Sequence, residues 1–255
     1  YGVLRLLGLS SKVLIIDEMH AYDSYMQTIL FRLLEWCAVI DIPVIILSAT
    51  LTNEIKLKML QAYGITGQAL TYDYPLITCI YKNGQVKENH IKGSYMTRKV
   101  QLDNHIFLDY DDVARLAISA IEDGGCACII MNTVKDAQEV YRSLENLEQE
   151  DISLMLFHSN YLKKDRKIIE DKCLDAFSKD AKSRPQKAVL VATQVVEQSL
   201  DVDFDYMISA LAPIDLLLQR CGRLHRHNRV RPKKHSQPML TVLINAEDEQ
   251  KEGIG

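Results

Sequence analysis

No run of the chain approaches the roughly 18 apolar residues that would cross a bilayer, and the start, Tyr1-Gly-Val-Leu-Arg-Leu-Leu-Gly-Leu9, lacks both a Met and the basic opening of a signal peptide. A CxxC pair is missing too. The six cysteines, Cys37, Cys79, Cys126, Cys128, Cys173 and Cys221, are scattered without a spacing that suits zinc or a disulfide framework. This points to a reducing, cytoplasmic setting with no membrane partner. There is no Gly-x-x-x-x-Gly-Lys-[Ser/Thr] segment, so the chain carries no phosphate-cradling loop of that kind. A large charge excess is absent as well: 30 Lys+Arg stand against 34 Asp+Glu, a net charge of −4, which taken alone argues against a general polyanion binder.

What is present is an ordinary globular composition, 47% hydrophobic and 25% charged over 255 residues, enough for one large domain or two small ones. The charge average conceals a local excess. From Leu216 to Ala246 there is no acidic residue, and Arg220, Arg223, Arg226, Arg229, Arg231, Lys233 and Lys234 fall within that stretch. Short β-branched runs alternate with helical patterns, the signature of parallel α/β sheets covered on both faces. Strands are predicted at residues 12–16, 43–47 and 76–81, then at 126–131, 152–157, 188–192, 206–210 and 239–244. Met26, Ile29, Leu30, Leu33, Leu34, Cys37 and Ala38 follow one helix face. Further helices are expected at 53–62, 109–122, 134–148 and 161–177, and after Pro213. Residues 82–104 are polar, carry Asn83-Gly84 and Gly93, and show no clear period, so the linker is placed there. Cys126 and Cys128 share one strand face and read as small buried apolar residues.

Four stretches carry chemistry. A strand ending in Asp17-Glu18-Met19-His20 sets two carboxylates at the carboxyl edge of a parallel sheet, where open α/β folds bind ligands. One carboxylate there can hold Mg²⁺ through its water shell while the next orients and deprotonates a water. An Asp-Glu pair at a helix start is the plain alternative. A second strand ends in Ser48-Ala49-Thr50, whose hydroxyls can relay hydrogen bonds or simply cap. A third ends in the polar, acid-bearing Ala192-Thr193-Gln194-Val195-Val196-Glu197-Gln198-Ser199-Leu200-Asp201-Val202-Asp203. The fourth is Gln219-Arg220-Cys221-Gly222-Arg223-Leu224-His225-Arg226-His227. Arginines three apart lie along one side of a helix or turn, and guanidinium suits a phosphoryl group whose charge is spread over several oxygens. Gly222 lets backbone or phosphate come close. For Arg229 to Lys234 the expectation is a solvated basic face.

Asp-Glu-x-His, Ser-Ala-Thr and Gln-Arg-x-Gly-Arg-x-x-Arg, in that order, resemble motifs II, III and VI of superfamily 2 helicases of the DExH type. The flanks, Ala21-Tyr22-Asp23, the 192–201 run and Ala212-Pro213-Ile214-Asp215, are similar to the helicase portion of the CRISPR-associated helicase/nuclease of type I systems.

That resemblance implies an α/β fold of two RecA-like parallel-sheet domains, the first truncated at its N-terminus. Residues 1–81 would be the C-terminal part of the first, 82–104 the linker and 105–255 the second. It implies ATP and Mg as cofactors. Asp17 would help hold Mg, Glu18 would activate water, and His20 would couple nucleotide state to movement. Ser48 and Thr50 would link hydrolysis to domain closure. Arg223 and Arg226 would reach the γ-phosphate, Arg226 as the arginine finger, with Gln219 orienting the site and Glu197 and Asp201 beside it. Asn132, Thr133, His158, Ser159 and Thr193 would meet the DNA backbone, although strand ends in any α/β domain carry such residues as caps.

The expected partners are single-stranded DNA, the RNA-guided CRISPR surveillance complex and an HD nuclease domain, fused or separate. Neither the phosphate loop nor the clustered metal-binding His and Asp of that nuclease is in this chain, so by itself it is expected to hydrolyse no ATP. Two other readings stay open: another DExH helicase of repair or RNA processing, and a non-catalytic docking module for the surveillance complex.

Overall fold

The computed structural model describes residues 8, 9, 11–19, 22, 24–48, 51–67, 70, 71, 73, 75–92, 98–147, 151–181, 183–197 and 200–245. The chain divides into two compact units, Tyr1–Met96 and Thr97–Gly255. In the first unit, β1 (Leu14–Ile16) pairs in parallel with β2 (Val44–Ile46), Leu14 opposite Val44 and Ile16 opposite Ile46. Helix α1 (Ser24–Val39) joins them and α2 (Asn53–Ala62) follows. Their shared core is Ile16, Met19, Leu30, Leu34 and Met59. The apolar stripe of α1 is wider than the face this core covers, since Leu30, Leu34 and Cys37 are buried while Met26 and Ile29 are exposed. Helix α2 starts where Thr52 Oγ1 accepts the Ile55 N–H at 3.4 Å, satisfying one of the orphan donors of its first turn.

Two expectations for this region change. Residues 76–81 do not extend a parallel sheet: β3 (Leu76–Ile80) pairs antiparallel with β4 (Val86–His90). The hairpin turns at Asn83-Gly84, where Gly84 takes φ +80, a conformation suited to glycine. Residues 82–104, expected as a linker without period, therefore hold β4 and the start of β5 (Gln101–Phe107). Polar residues hid the strand, and the structure gives them partners. Glu88 accepts from the Thr71 N–H and hydroxyl and from Thr78, and His90 lies 3.0 Å from Asp73.

The second unit is built on one six-stranded sheet, parallel throughout, in the order β5-β10-β9-β6-β8-β7. Its other strands are β6 (Gly125–Ile130), β7 (Ser153–Phe157), β8 (Lys187–Ala192), β9 (Tyr206–Ala210) and β10 (Met239–Asn245). The helices are α3 (Tyr110–Ala120), α4 (Val134–Asn146), α5 (Lys163–Phe177) and α6 (Ile214–Cys221). The strand period of two sorts β6 between two cores. Cys126, Cys128 and Ile130 pack towards α5 and α6, and Ala127 and Ile129 towards α3 and α4. Both cysteines are fully buried, and burial pushes the Cys126 thiol up to about 12. They serve as small apolar residues, as the sequence suggested. Asp109 and Thr133 cap α3 and α4 by accepting the N–H three residues on. Among the described residues no helix is long and apolar enough to cross a membrane.

Because Ile129 has no exposed surface and sits on a central strand, Ile129→Ala should cost about 2–5 kcal/mol of unfolding free energy, read by denaturant unfolding with far-UV circular dichroism.

Candidate functional site

In the first unit, β1 runs straight into Asp17 and Glu18, both exposed. Asp17 Oδ1 accepts the Glu18 N–H at 2.9 Å, and Glu18 takes φ +52. A non-glycine residue in that region costs about 1–2 kcal/mol, and such strain persists where the surrounding structure holds it. The neighbouring strands stay tied past their ends. Leu47 N–H donates to Ile16 O at 2.8 Å and Met19 N–H to Leu47 O at 3.3 Å. Asp17 and Ser48 thus leave the sheet at one carboxyl edge. His20 and Thr50 lie outside the described residues.

Among the described residues, no group of three His, Cys, Asp or Glu is gathered that would hold a metal ion outright. An exposed strand-end carboxylate fits the way Mg²⁺ is usually held, by one or two carboxylates with waters and substrate phosphates completing the octahedron.

In the second unit, Ile130, Ala192 and Phe157 lie level across β6, β8 and β7. Asn132, Thr133, His158, Ser159 and Thr193 therefore gather at one edge of the sheet. Their roles there differ. Asn132 Nδ2 donates to Leu211 O at 2.8 Å, and Gln194 donates to Asn132 O at 3.2 Å, lacing three strand ends together. Thr133 is the cap of α4, and its hydroxyl also donates to Asp136 at 2.7 Å. His158 is 4% exposed and stacks on Tyr161 at 4.2 Å between ring centroids. The Asn160 N–H donates to its Nδ1 at 3.3 Å, and burial holds its pKa below the usual histidine value. Thr193 is buried, its N–H donating to Phe157 O. Ser159 is exposed.

The arginine segment begins in α6 and leaves it at once. Gly222 closes the helix, and a Cβ there would meet Gln219 O at 3.0 Å, so the close approach that glycine permits is to backbone. Each of the three arginines reaches the connection between β8 and β9. Arg220, with no exposed surface, donates from Nε to Glu197 Oε1 at 2.7 Å and from Nη1 to Ser209 Oγ at 2.6 Å and Ala210 O at 3.0 Å. Arg223 Nη2 donates to Glu197 O at 2.7 Å. Arg226 donates its N–H to Asp203 at 2.8 Å and its Nε to Asp201 at 2.5 Å. Gln219 keeps a buried Nε2 that finds no acceptor among the described residues.

Of the solvated basic face expected at Arg229 to Lys234, Lys233 and Lys234 are exposed, but Arg229 and Arg231 are a correction. Arg229 lies 2.6 Å from Asp203, while Arg231 reaches Asp203 at 2.9 Å and Asp205 at 2.5 Å. Arg184 meets Asp205 at 2.8 Å. Both aspartates are buried, so these guanidinium groups neutralise interior charge instead of facing water. Burial raises the Asp205 pKa, but Arg184, the Cys126 N–H and Arg231 outweigh it and leave the group below the usual carboxylate value. Arg184 and Asp205 were not singled out from the sequence, and Arg220 and Asp203 were named within their motifs without a role of their own. The alternation Asp201-x-Asp203-x-Asp205, facing an acid-free arginine stretch, was the available signal.

The family model for the C-terminal part of CRISPR-associated nuclease/helicase Cas3 matches residues 123–229. A Streptococcus thermophilus CRISPR-associated nuclease/helicase Cas3 is 38% identical over 96% of the chain. The chain is similar to the helicase portion of the CRISPR-associated nuclease/helicases. The crystal structure of T. fusca Cas3-ADP superposes with a TM-score of 0.85 at 36% identity over 96% of the chain. A chain in the structure of a CRISPR RNA-guided surveillance complex, pre-nicking, gives 0.81 at 33% over 97%. The fold is accordingly the RecA-like one of these helicases. The chain spans 27% of the length of the S. thermophilus protein and 31% and 33% of the other two chains.

Asp205 contributes stability that is complete above the unfolded carboxylate pKa near 4 and is lost as pH falls through its lower folded value. Asp205→Asn should flatten that acid-side decline. At neutral pH it should cost about 3–5 kcal/mol, because it leaves the part-buried Arg184 without its carboxylate and Arg231 with Asp203 alone. Denaturant titrations at a series of pH values read both effects.

Proposed function

We propose that this chain supplies part of the motor of an ATP-dependent single-stranded DNA translocase/helicase acting in CRISPR type I interference, where it unwinds target DNA for degradation. The observation that carries the reading is the pair Asp17-Glu18 at the carboxyl end of β1, on a chain whose later segment supplies three arginines spaced three apart. The relatives named above support the same reading.

In this proposal Asp17 would help hold Mg²⁺, which would supply neutralisation of phosphate charge. Glu18 orients the attacking water and takes its proton. Arg223 and Arg226 spread positive charge over the equatorial oxygens of the γ-phosphate, for which Arg226 must first leave Asp201. Glu197 holds that segment in place, Gln219 orients the site, and Ser48, Thr50 and His20 pass the nucleotide state on. Asn132, Thr133 and Ser159 offer exposed amide and hydroxyl groups to the DNA backbone, a sequence-independent grip suited to translocation, and His158 and Thr193, buried at the same edge, would have to be uncovered to join it. The partition into a first RecA-like part at residues 1–81, a linker and a second at 105–255 belongs to the same proposal, as do a cytoplasmic location, the HD nuclease domain and docking on the surveillance complex. The phosphate-cradling loop is proposed to be supplied from outside these residues.

Two outcomes are expected. Glu18→Gln in the full-length protein should lower DNA-stimulated ATP hydrolysis by about 10²–10⁴-fold while nucleotide binding persists. The 255-residue chain alone should hydrolyse no ATP above background. A full-length protein without DNA-stimulated hydrolysis would move the reading to a docking module. Hydrolysis by the isolated chain that Glu18→Gln abolishes would place a whole nucleotide site within it.

A further inference from the structure

Arg220 is the largest side chain in the protein with no exposed surface among the described residues, and no step of the proposed chemistry uses it. Its guanidinium joins three separate segments. Nε grips Glu197, in the connection after β8, and Nη1 grips Ser209 and the carbonyl of Ala210 at the carboxyl end of β9. The side chain itself issues from the last turn of α6. Its remaining nitrogen, Nη2, is buried with no acceptor among the described residues. A buried charge pair with an unsatisfied donor is an expensive way to fill a core, and well-packed apolar residues of the same volume often serve stability as well or better. Stability alone therefore does not account for an arginine here.

Position does. Three residues on, Arg223 hangs its Nη2 on the main-chain oxygen of the same Glu197, at 2.7 Å. Glu197 is thus held by its side chain from Arg220 and by its carbonyl from Arg223. Between the two arginines the chain turns tightly at Gly222, and Arg223 N–H donates back to Arg220 O at 2.9 Å. The far end of the Glu197 turn runs back to Thr193 through Glu197 N–H to Gln194 O at 3.0 Å and Val196 N–H to Thr193 O at 3.3 Å. Moving Arg220 would move Glu197, and with it the anchor of the Arg223 head.

We infer that Arg220 is a positioning residue: through Glu197, Ser209 and Ala210 it fixes where Arg223 presents its guanidinium, and it takes no part in contacting nucleotide itself. The inference rests on the proposed role of Arg223 at the γ-phosphate. Lysine cannot replace it, because a single ammonium on a flexible stem cannot hold Glu197 and the β9 end at the same time in a fixed fork.

The test is steady-state ATP hydrolysis by the full-length protein at saturating single-stranded oligonucleotide, with Arg220→Lys and Ser209→Ala as variants, alongside denaturant unfolding of each. A displaced Arg223 weakens the transition state more than the bound nucleotide. Arg220→Lys should therefore lower kcat about 10- to 100-fold with KM for ATP within about twofold, at a retained cooperative transition. Ser209→Ala, which keeps the charge pair and loses one tie, should lower kcat in the same sense by a few fold. Wild-type kcat in folded Arg220→Lys overturns the inference, as does a kcat that falls only in proportion to the folded fraction. Should Arg220→Lys not fold, Ser209→Ala decides: unchanged kcat overturns the inference, a reduced kcat with unchanged KM upholds it. A wild-type protein that does not hydrolyse ATP fails earlier, and takes the proposed function with it.

Discussion

Two carboxylates buried at the amino end of β9, Asp203 and Asp205, need compensation that water cannot give, and the second unit is arranged around supplying it. Arg184 comes from the segment before β8, Arg229 and Arg231 from the segment before β10. Asp203 also accepts the Arg226 N–H, and Asp205 the Cys126 N–H at the start of β6. Charge compensation thus cross-links four stretches of chain that the strand ladder alone would leave loosely joined. Because buried charges forgive little displacement, the segment from Gly222 to Arg231 is pinned at both ends. The arginines that could serve a phosphate, Arg223 and Arg226, are presented from that pinned segment.

The same logic repeats at Glu197, with Arg220 in place of the outer arginines. Here the compensation runs inward, between the end of β8, the end of β9 and the last turn of α6. Two charge clusters of this kind, one at each end of β9, set the two ends of the β8–β9 connection. That connection carries Glu197 and Asp201, the residues against which all three motif arginines rest or lie closest. Arg220 and Glu197 are thereby held in a fixed arrangement, whereas in the proposed function Arg226 has to give up Asp201 before it can act.

How far the sequence reached depended on the physical signal in each element. The buried strands β6, β8 and β9 are predominantly apolar runs, and their bounds were readable to within a residue. Strand β3 was read, but its antiparallel partner β4 and the edge strand β5 were missed because their exposed or laced faces carry Glu88, His90, Asp103 and Asn104, whose partners are far apart in sequence or are solvent. Thr133 shows the same limit at a site: one hydroxyl serves as a helix cap and stands at the proposed DNA edge, and the residue type alone cannot separate the two.

By itself the sequence determined the α/β class, the order of the motifs, the carboxylate pair at a strand end and the arginines three apart, because period and spacing are local quantities. Only the tertiary structure decided which arginines are interior and which are presented. A run of Arg and Lys reads as solvated until the aspartates that face it are brought in from residues 203 and 205, and that pairing is fixed by the sheet order, with β9 seated between β10 and β6, not by any local pattern.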